Sequence, residues 1–326
     1  MISWRRNSDS IFGAFKMHAS QSVAKVISRE WLAWPFFDQS HNGICQVLDR
    51  FVLSGAIDAI DHADIDRSCR ELIRSLGDAG LLECAVASPN GGDSTIDSRS
   101  VCLSRESLAY ADGLADFAFA MQGLGSGAIA IAGSTEQQSA ILPNIRSGKW
   151  LAAFALSEKD AGSDVAAMSC VARVEGDGYI LDGEKTWISN GKIADVYTLF
   201  ARTGEAPGAR GISAFVVFPE DRGFHVANRI DVMAPHPLAT LRLENCRIPA
   251  GRLLGSPGGG FHIAMQTLDI FRASVAAAAL GFARRALDEA LRHTRQCIMF
   301  GRTLSDQQLT QAAFGDMATE IEPRHY

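Results

Sequence analysis

No two of the seven cysteines form a CxxC pair, and none of the eight histidines stands in an HxxxH or HExxH spacing. A disulfide framework or structural zinc site would need tighter clusters. Cys45, Cys69, Cys84, Cys102, Cys170, Cys246 and Cys297 therefore read as reduced thiols in a cytoplasmic setting, with no metal expected. A basic excess is also missing. The formal net charge of -6 argues against nucleic acid as the main partner, because nothing is present to neutralise a phosphate backbone. No apolar run looks long enough to cross a bilayer, so no membrane span is expected. Internal repeats and low-complexity segments are absent. What remains is 47% hydrophobic and 21% charged over 326 residues, enough for two or three domains with sizeable cores.

The first stretch, Met1 to Arg29, carries Arg5, Arg6, Lys16, Lys25 and Arg29 with several serines. It admits two readings: an organelle transit peptide, which would mean the mitochondrial matrix in a eukaryote, or a start at Met17. Residues 1–30 are taken as an N-terminal extension that need not be ordered.

Residues 31–149 read as a helical domain. Asp38-Gln39-Ser40 supplies caps ahead of Ile44, Leu48, Phe51 and Val52 at helical spacing, and 64–82 repeats the pattern through Ile65, Cys69, Leu72, Ile73 and Leu76. Ser88-Pro-Asn-Gly-Gly-Asp93 is a turn cluster. Helix is expected again over 99–120, then a small-residue stretch, 123–133, suited to close packing, then a short helix from Ser134 that ends at Pro143. Residues 150–255 change period. Short β-type runs at 151–156, 170–174, 179–181, 185–188, 196–201, 212–218 and 241–243 are divided by Gly, Asp and Pro turns, as in a small barrel or sandwich. Gly176-Asp177-Gly178 fits a hairpin turn between two of them. Residues 256–326 return to helix, one at 264–293 with an alanine-rich core and another at 305–321. The fold class is α+β multidomain: a helical domain, a small β domain and an incomplete helical bundle.

Two mid-chain segments carry chemistry. Phe154-Ala-Leu-Ser-Glu-Lys-Asp-Ala-Gly-Ser-Asp164 runs from a strand into a turn where Gly162 and Ser163 could offer backbone N–H and a hydroxyl to a phosphate. In Gly183-Glu-Lys-Thr-Trp-Ile-Ser-Asn-Gly191, Trp187 and Ser189 lie two apart, so a strand presents both on one face. An indole beside a hydroxyl suits a flat heteroaromatic ring.

Together these segments resemble the flavin-binding signatures of the acyl-CoA dehydrogenase family, with a similarity from about Trp34 to Glu322. It includes Gly133-Ser-Thr-Glu-Gln-Gln, Leu142-Pro-Asn-Ile-Arg-Ser-Gly-Lys-Trp150 and Gly281-Phe-Ala-Arg-Arg-Ala-Leu287. The resemblance implies FAD held by Phe154, Leu156, Ser157, Gly162 and Ser163, with Trp187, Ile188 and Ser189 against the isoalloxazine. Ser163, Asp269 and Arg272 would meet the acyl-CoA, and Gln307 and Gln308 the flavin nucleotide toward a neighbouring subunit. It further implies α,β-dehydrogenation of an acyl-CoA to the 2-enoyl-CoA, an electron-transfer flavoprotein as acceptor, and a dimer or tetramer if the bundle is complete.

The sequence departs from that pattern in three places. The helix position before the arginine matching Arg272, one family location for the catalytic base, holds Phe271, which accepts no proton. The other location lies further on than Tyr326, so no catalytic residue is identified, and the readings open are a gene model cut short and a shortened or frameshifted gene product. Its bundle would leave Leu268, Val275, Leu280 and Ala283 uncovered. Cys297 replaces an arginine that pairs with FAD phosphates, which leaves Arg295 or Arg302 to compensate. Two rival readings follow: a flavin monooxygenase or nitroalkane-oxidase-like member of the same architecture, and a degenerate homologue without turnover.

Overall fold

The computed structural model describes residues 26, 27, 29–89 and 96–321. The transit-peptide reading, part of the 88–93 turn and the closing Pro323 to Tyr326 lie outside those residues.

The N-terminal domain begins with α1 (Gln39–Leu53). Asp38 caps it, accepting from the Ser40 N–H at 2.9 Å, while His41 Nδ1 accepts the Asp38 N–H at 3.0 Å. α2 (Ile65–Asp78) is capped by Asp64 and buries Cys69, Leu72, Ile73 and Leu76, the face the periodicity predicted. The helix expected over 99–120 is two helices, α3 (Ser98–Ala111) and α4 (Gly113–Ala132). Asp112 divides them: its backbone is extended and its carboxylate accepts the Leu114 N–H at 2.7 Å. A short acidic side chain followed by glycine favours a cap over helix interior. α5 (Thr135–Arg146) opens on a Ser134/Gln137 capping box and continues past Pro143 to Arg146. A proline near the end of a helix forfeits one N–H bond, and its φ is already helical.

The middle domain is one eight-stranded sheet: β1 (Ala152–Ala155), β2 (Val171–Glu175), β3 (Gly178–Ser189), β4 (Val196–Arg202), β5 (Ile212–Val217), β6 (Phe224–Arg229), β7 (Leu238–Pro249) and β8 (Leu253–Leu254). The order is β6-β7-β3-β2-β4-β5-β8, and β1 lies parallel to β4. The hairpin at 176–178 forms, with Glu175 opposite Gly178. The runs 179–181 and 185–188 are one strand, β3. β6 went unread because four of its six residues are exposed and leave no apolar alternation.

The C-terminal part holds α6 (Gly260–Gln296), a two-stranded hairpin of β9 (Ile298–Met299) and β10 (Arg302–Thr303), and α7 (Gln308–Ile321). α6 lies against α3 so closely that a Cβ on Gly281 would meet the Glu106 carbonyl oxygen at 2.3 Å. Arg284 pairs with Glu106 at 3.0 Å and Tyr110 donates to Asp288 at 2.6 Å. Val275 is exposed, as the pattern predicted, and Leu280 and Ala283 line an apolar groove of about 810 Å³ between α6 and α7. Leu268 instead packs into the core shared with the sheet. Contrary to the sequence expectation, α4 and α6 are each long and apolar enough to cross a membrane by composition. α4 is mostly buried inside the fold, between β1 and α6.

Candidate flavin site

β1 enters the sheet from the helical domain, and the chain leaves it at Leu156 into an exposed loop. Gly162, Ser163 and Asp164 are exposed, while Leu156 is buried and Ser157 half-buried. The N–H groups of Gly162 and Ser163, and the hydroxyls of Ser157, Ser163 and Ser189, bond to no partner among the described residues. An uncommitted row of donors at one loop is what an anionic ligand requires. Phe154 packs edge-on against Phe200, centroids 5.0 Å apart, and is only partly buried.

β3 is fastened to this loop. The Thr186 N–H donates to the Ser157 carbonyl at 3.0 Å. Lys185 is fully buried, and its Nζ lies 2.8 Å from Glu158 and 3.1 Å from the Leu156 carbonyl. Glu158 also accepts from the N–H groups of Ser169 and Cys170 and from the Ser169 hydroxyl. Burial alone would raise its pKa. The Lys185 charge and these hydrogen bonds outweigh burial and hold it below the usual carboxylate value. Glu158 therefore shapes the loop from the inside.

Trp187 and Ser189 flank Ile188, which is 1% exposed, while Trp187 is 59% exposed and Ser189 half-buried. The two face outward together, but the strand is not regular there. The β3–β7 register shifts between Lys185 and Ile188, and Trp187 has φ +59°, a left-handed conformation uncommon for a bulky residue. The bulge lifts a large indole off the sheet and leaves its surface open beside the loop. An uncovered aromatic surface next to free donors fits a flat heterocycle with a phosphate-bearing arm. The residues present suit a flavin nucleotide.

The remaining predicted residues do not join this cluster. Asp269 and Arg272 are exposed on α6 and pair with each other at 3.0 Å. Phe271 turns the other way, 6% exposed, with its ring 2.6 Å from where a Cβ on Gly123 of α4 would stand. α4 in turn seats Gly125 on Ala152 of β1, so Phe271 is one helix removed from the strand that leads into the loop. Gln307 and Gln308 open α7, whose main packing is on α6 and its own preceding turn. Cys297 caps α6 through an N–H bond to His293, and neither Arg295 nor Arg302 forms an ion pair among the described residues.

Sequence reasoning missed Lys185 and Asn190. The signal for Lys185 was present: period two places it on the face of buried Leu181, and a charge there demands a partner. Asn190 gave no such sign.

Helix, sheet and helix, with a loop and an indole arranged for a flavin, define a flavoprotein oxidoreductase class, and comparison with known proteins says which. The acyl-CoA dehydrogenase N-terminal, middle and C-terminal domain models match residues 38–149, 153–246 and 258–324. "Probable acyl-CoA dehydrogenase FadE25" of Mycobacterium tuberculosis is 37% identical over 265 residues, 80% of this chain and 68% of that protein. The structure of butyryl-CoA dehydrogenase from Megasphaera elsdenii superposes with a TM-score of 0.79 at 30% identity, covering 88% of this chain and 77% of the other. A glutaryl-CoA dehydrogenase from Mycobacterium smegmatis in complex with FADH2 gives 0.76 at 30% identity, covering 88% and 74%. This chain belongs to the acyl-CoA dehydrogenase family, by family an oxidoreductase acting on CH–CH groups and flavin-dependent.

Proposed function

We propose that this chain binds FAD and an acyl-CoA and serves α,β-dehydrogenation of the thioester to the 2-enoyl-CoA. The observation that carries the reading is the exposed Trp187 indole raised on the β3 bulge beside the unpartnered donors of Gly162, Ser163 and Ser189. Bound there, FAD would supply an acceptor for the β-hydride. Gly162 and Ser163 would hold its pyrophosphate arm, and Ser163 would also lie near the thioester. Trp187 and Ile188 would wall the ring, Ser189 would donate to its edge, and Phe154, Leu156 and Ser157 would complete the pocket. Asp269 and Arg272 present one exposed ion pair to the CoA part of the substrate, and Gln307 and Gln308 would meet the nucleotide from a neighbouring subunit in a dimer or tetramer. Electrons would leave to an electron-transfer flavoprotein. A cytoplasmic location rests on the dispersed free cysteines.

Phe271 favours a second reading, binding with little turnover. No carboxylate stands beside it within two turns on its face of α6, since Asp269 points to the opposite side. One experiment separates the two. Purified chain is loaded with FAD and mixed without oxygen with acyl-CoAs of varied chain shape. Bleaching of the oxidised-flavin band establishes dehydrogenation. A yellow protein that binds acyl-CoA and does not bleach establishes the second reading, and a chain that takes no flavin defeats both.

A further inference from the structure

Asn190, immediately after Ser189, is fully buried, and its φ is +59°. Each of its polar groups is spent on a different element. Its N–H donates to the Pro237 carbonyl just before β7 at 2.9 Å, and its carbonyl accepts from Ile193 and Ala194 at 2.8 Å, which closes the turn between β3 and β4. Its side-chain Nδ2 donates to the Ala152 carbonyl of β1 at 3.1 Å, and its Oδ1 faces the Cys69 thiol of α2 at 3.8 Å. The Ala152 carbonyl can only accept, which fixes the amide's direction, and burial pushes the Cys69 thiol up to about 12, so it stays protonated facing Oδ1. The turn is held from α2 a second time, by Arg70, whose guanidinium donates to the Ile193 carbonyl at 2.7 Å.

We propose that Asn190 is a positioning residue for the flavin site, setting the Trp187–Ser189 platform against β1 and hence against the loop that β1 feeds. The inference rests on the flavin reading above and adds how its two halves are registered. β1 and β3 form no ladder with each other: β5 takes one edge of β4, β1 and β2 share the other end to end, and the second half of β3 runs past β2 alongside β1. Beyond Lys185 and Thr186, which grip the start of the loop, Asn190 joins the end of β3 to the body of β1 through a side-chain bond. Its left-handed backbone is required as well, since it turns the chain back so that Nδ2 reaches the Ala152 carbonyl in the body of β1. Asparagine and glycine tolerate that conformation, and only asparagine also brings the donor.

The test uses the full chain as Asn190→Gly, which keeps the backbone conformation and removes the amide, and as Asn190→Asp, which keeps the shape and removes the donor. Leu48→Ala, in the N-terminal core, serves as a control of similar stability loss. Amide hydrogen exchange is measured without flavin, and FAD is then titrated by absorbance and fluorescence. The expected result is exchange at least about tenfold faster over both 152–157 and 185–194 in Asn190→Gly but not in Leu48→Ala, FAD binding weaker by about tenfold, and a displaced flavin absorption band. Unchanged exchange in those two segments, or a wild-type flavin band and affinity in both variants, overturns the proposal. If even the wild-type chain takes no FAD, the flavin reading fails, and the exchange comparison still decides whether Asn190 couples the two segments.

Discussion

Lys185 and Glu158 meet at 2.8 Å inside the protein, the lysine fully buried and the glutamate 6% exposed, and the pair pins the loop after β1 to β3. Neither side chain reaches solvent, and each is the other's buried partner of opposite charge. The loop's exposed half is thereby built on an interior fastening.

Lys185→Met should therefore destabilise the fold by about 3 kcal/mol at neutral pH, since it strands a buried carboxylate. The loss has a pH signature. Glu158 is held below its ordinary value, so the pair's contribution is fully present above the unfolded carboxylate value of about 4.3 and is lost as pH falls through the lower folded one. Urea denaturation across pH 3 to 8 should show the gap between wild type and variant narrowing as pH falls, because the stranded carboxylate of the variant takes up its proton before the paired one does. A constant gap would mean that packing, not charge, sets the cost.

Trp187→Gly should separate stability from binding. The indole is 59% exposed and the residue sits at φ +59°, where glycine relieves about 1 kcal/mol of backbone strain. The flavin-free variant should melt no lower than wild type, while FAD affinity falls by about tenfold through the lost ring contact. Calorimetry and flavin titration on the same sample decide it.

Gly123→Ala should destabilise by about 1–3 kcal/mol, because its methyl would lie 2.6 Å from the Phe271 ring and 3.0 Å from the Ala85 carbonyl. Combined with Phe271→Leu, which shrinks the side chain, the penalty should fall below the sum of the two single changes. Additive costs in a double-mutant cycle would show that the backbone contact at Ala85 dominates.

Arg229→Ala should loosen the join between the helical domain and the sheet. Arg229 and Lys192 both grip Asp66 of α2, and Asp66 is only 20% exposed. Burial opposes ionisation of Asp66, but the two cations hold its pKa below the usual value. A loss of about 1 kcal/mol, smaller in high salt, is expected from denaturation at two ionic strengths.

The helical and strand periods were legible because apolar residues alternate against solvent. Cys69, Leu72, Ile73 and Leu76 mark one face of α2, and the Gly176-Asp177 turn marks one hairpin. The pattern failed where polar chemistry set the structure. Asp112 ended one helix and began the next, and exposed β6 had no pattern to read. In the candidate site, the loop and the outward pair Trp187 and Ser189 could be found from spacing. The bulge that raises the indole, the buried lysine and the tie from Asn190 to Ala152 are long-range contacts that no window of sequence contains. Phe271 was legible as a residue that takes no proton. Its seat against Gly123 was not.

The close seam between α3 and α6 sets an order of events during synthesis. Glu106 and Arg284 are 178 positions apart, and α3 comes so near α6 that only a glycine fits at 281. When α3 emerges from the ribosome, the bonds its Glu106 and Tyr110 make to Arg284 and Asp288 must wait until the whole sheet has followed and α6 appears. The helical domain must wait, partly assembled, through the making of the sheet. Its last cooperative step is therefore a late, non-local closure, slow by the standards of a helical protein.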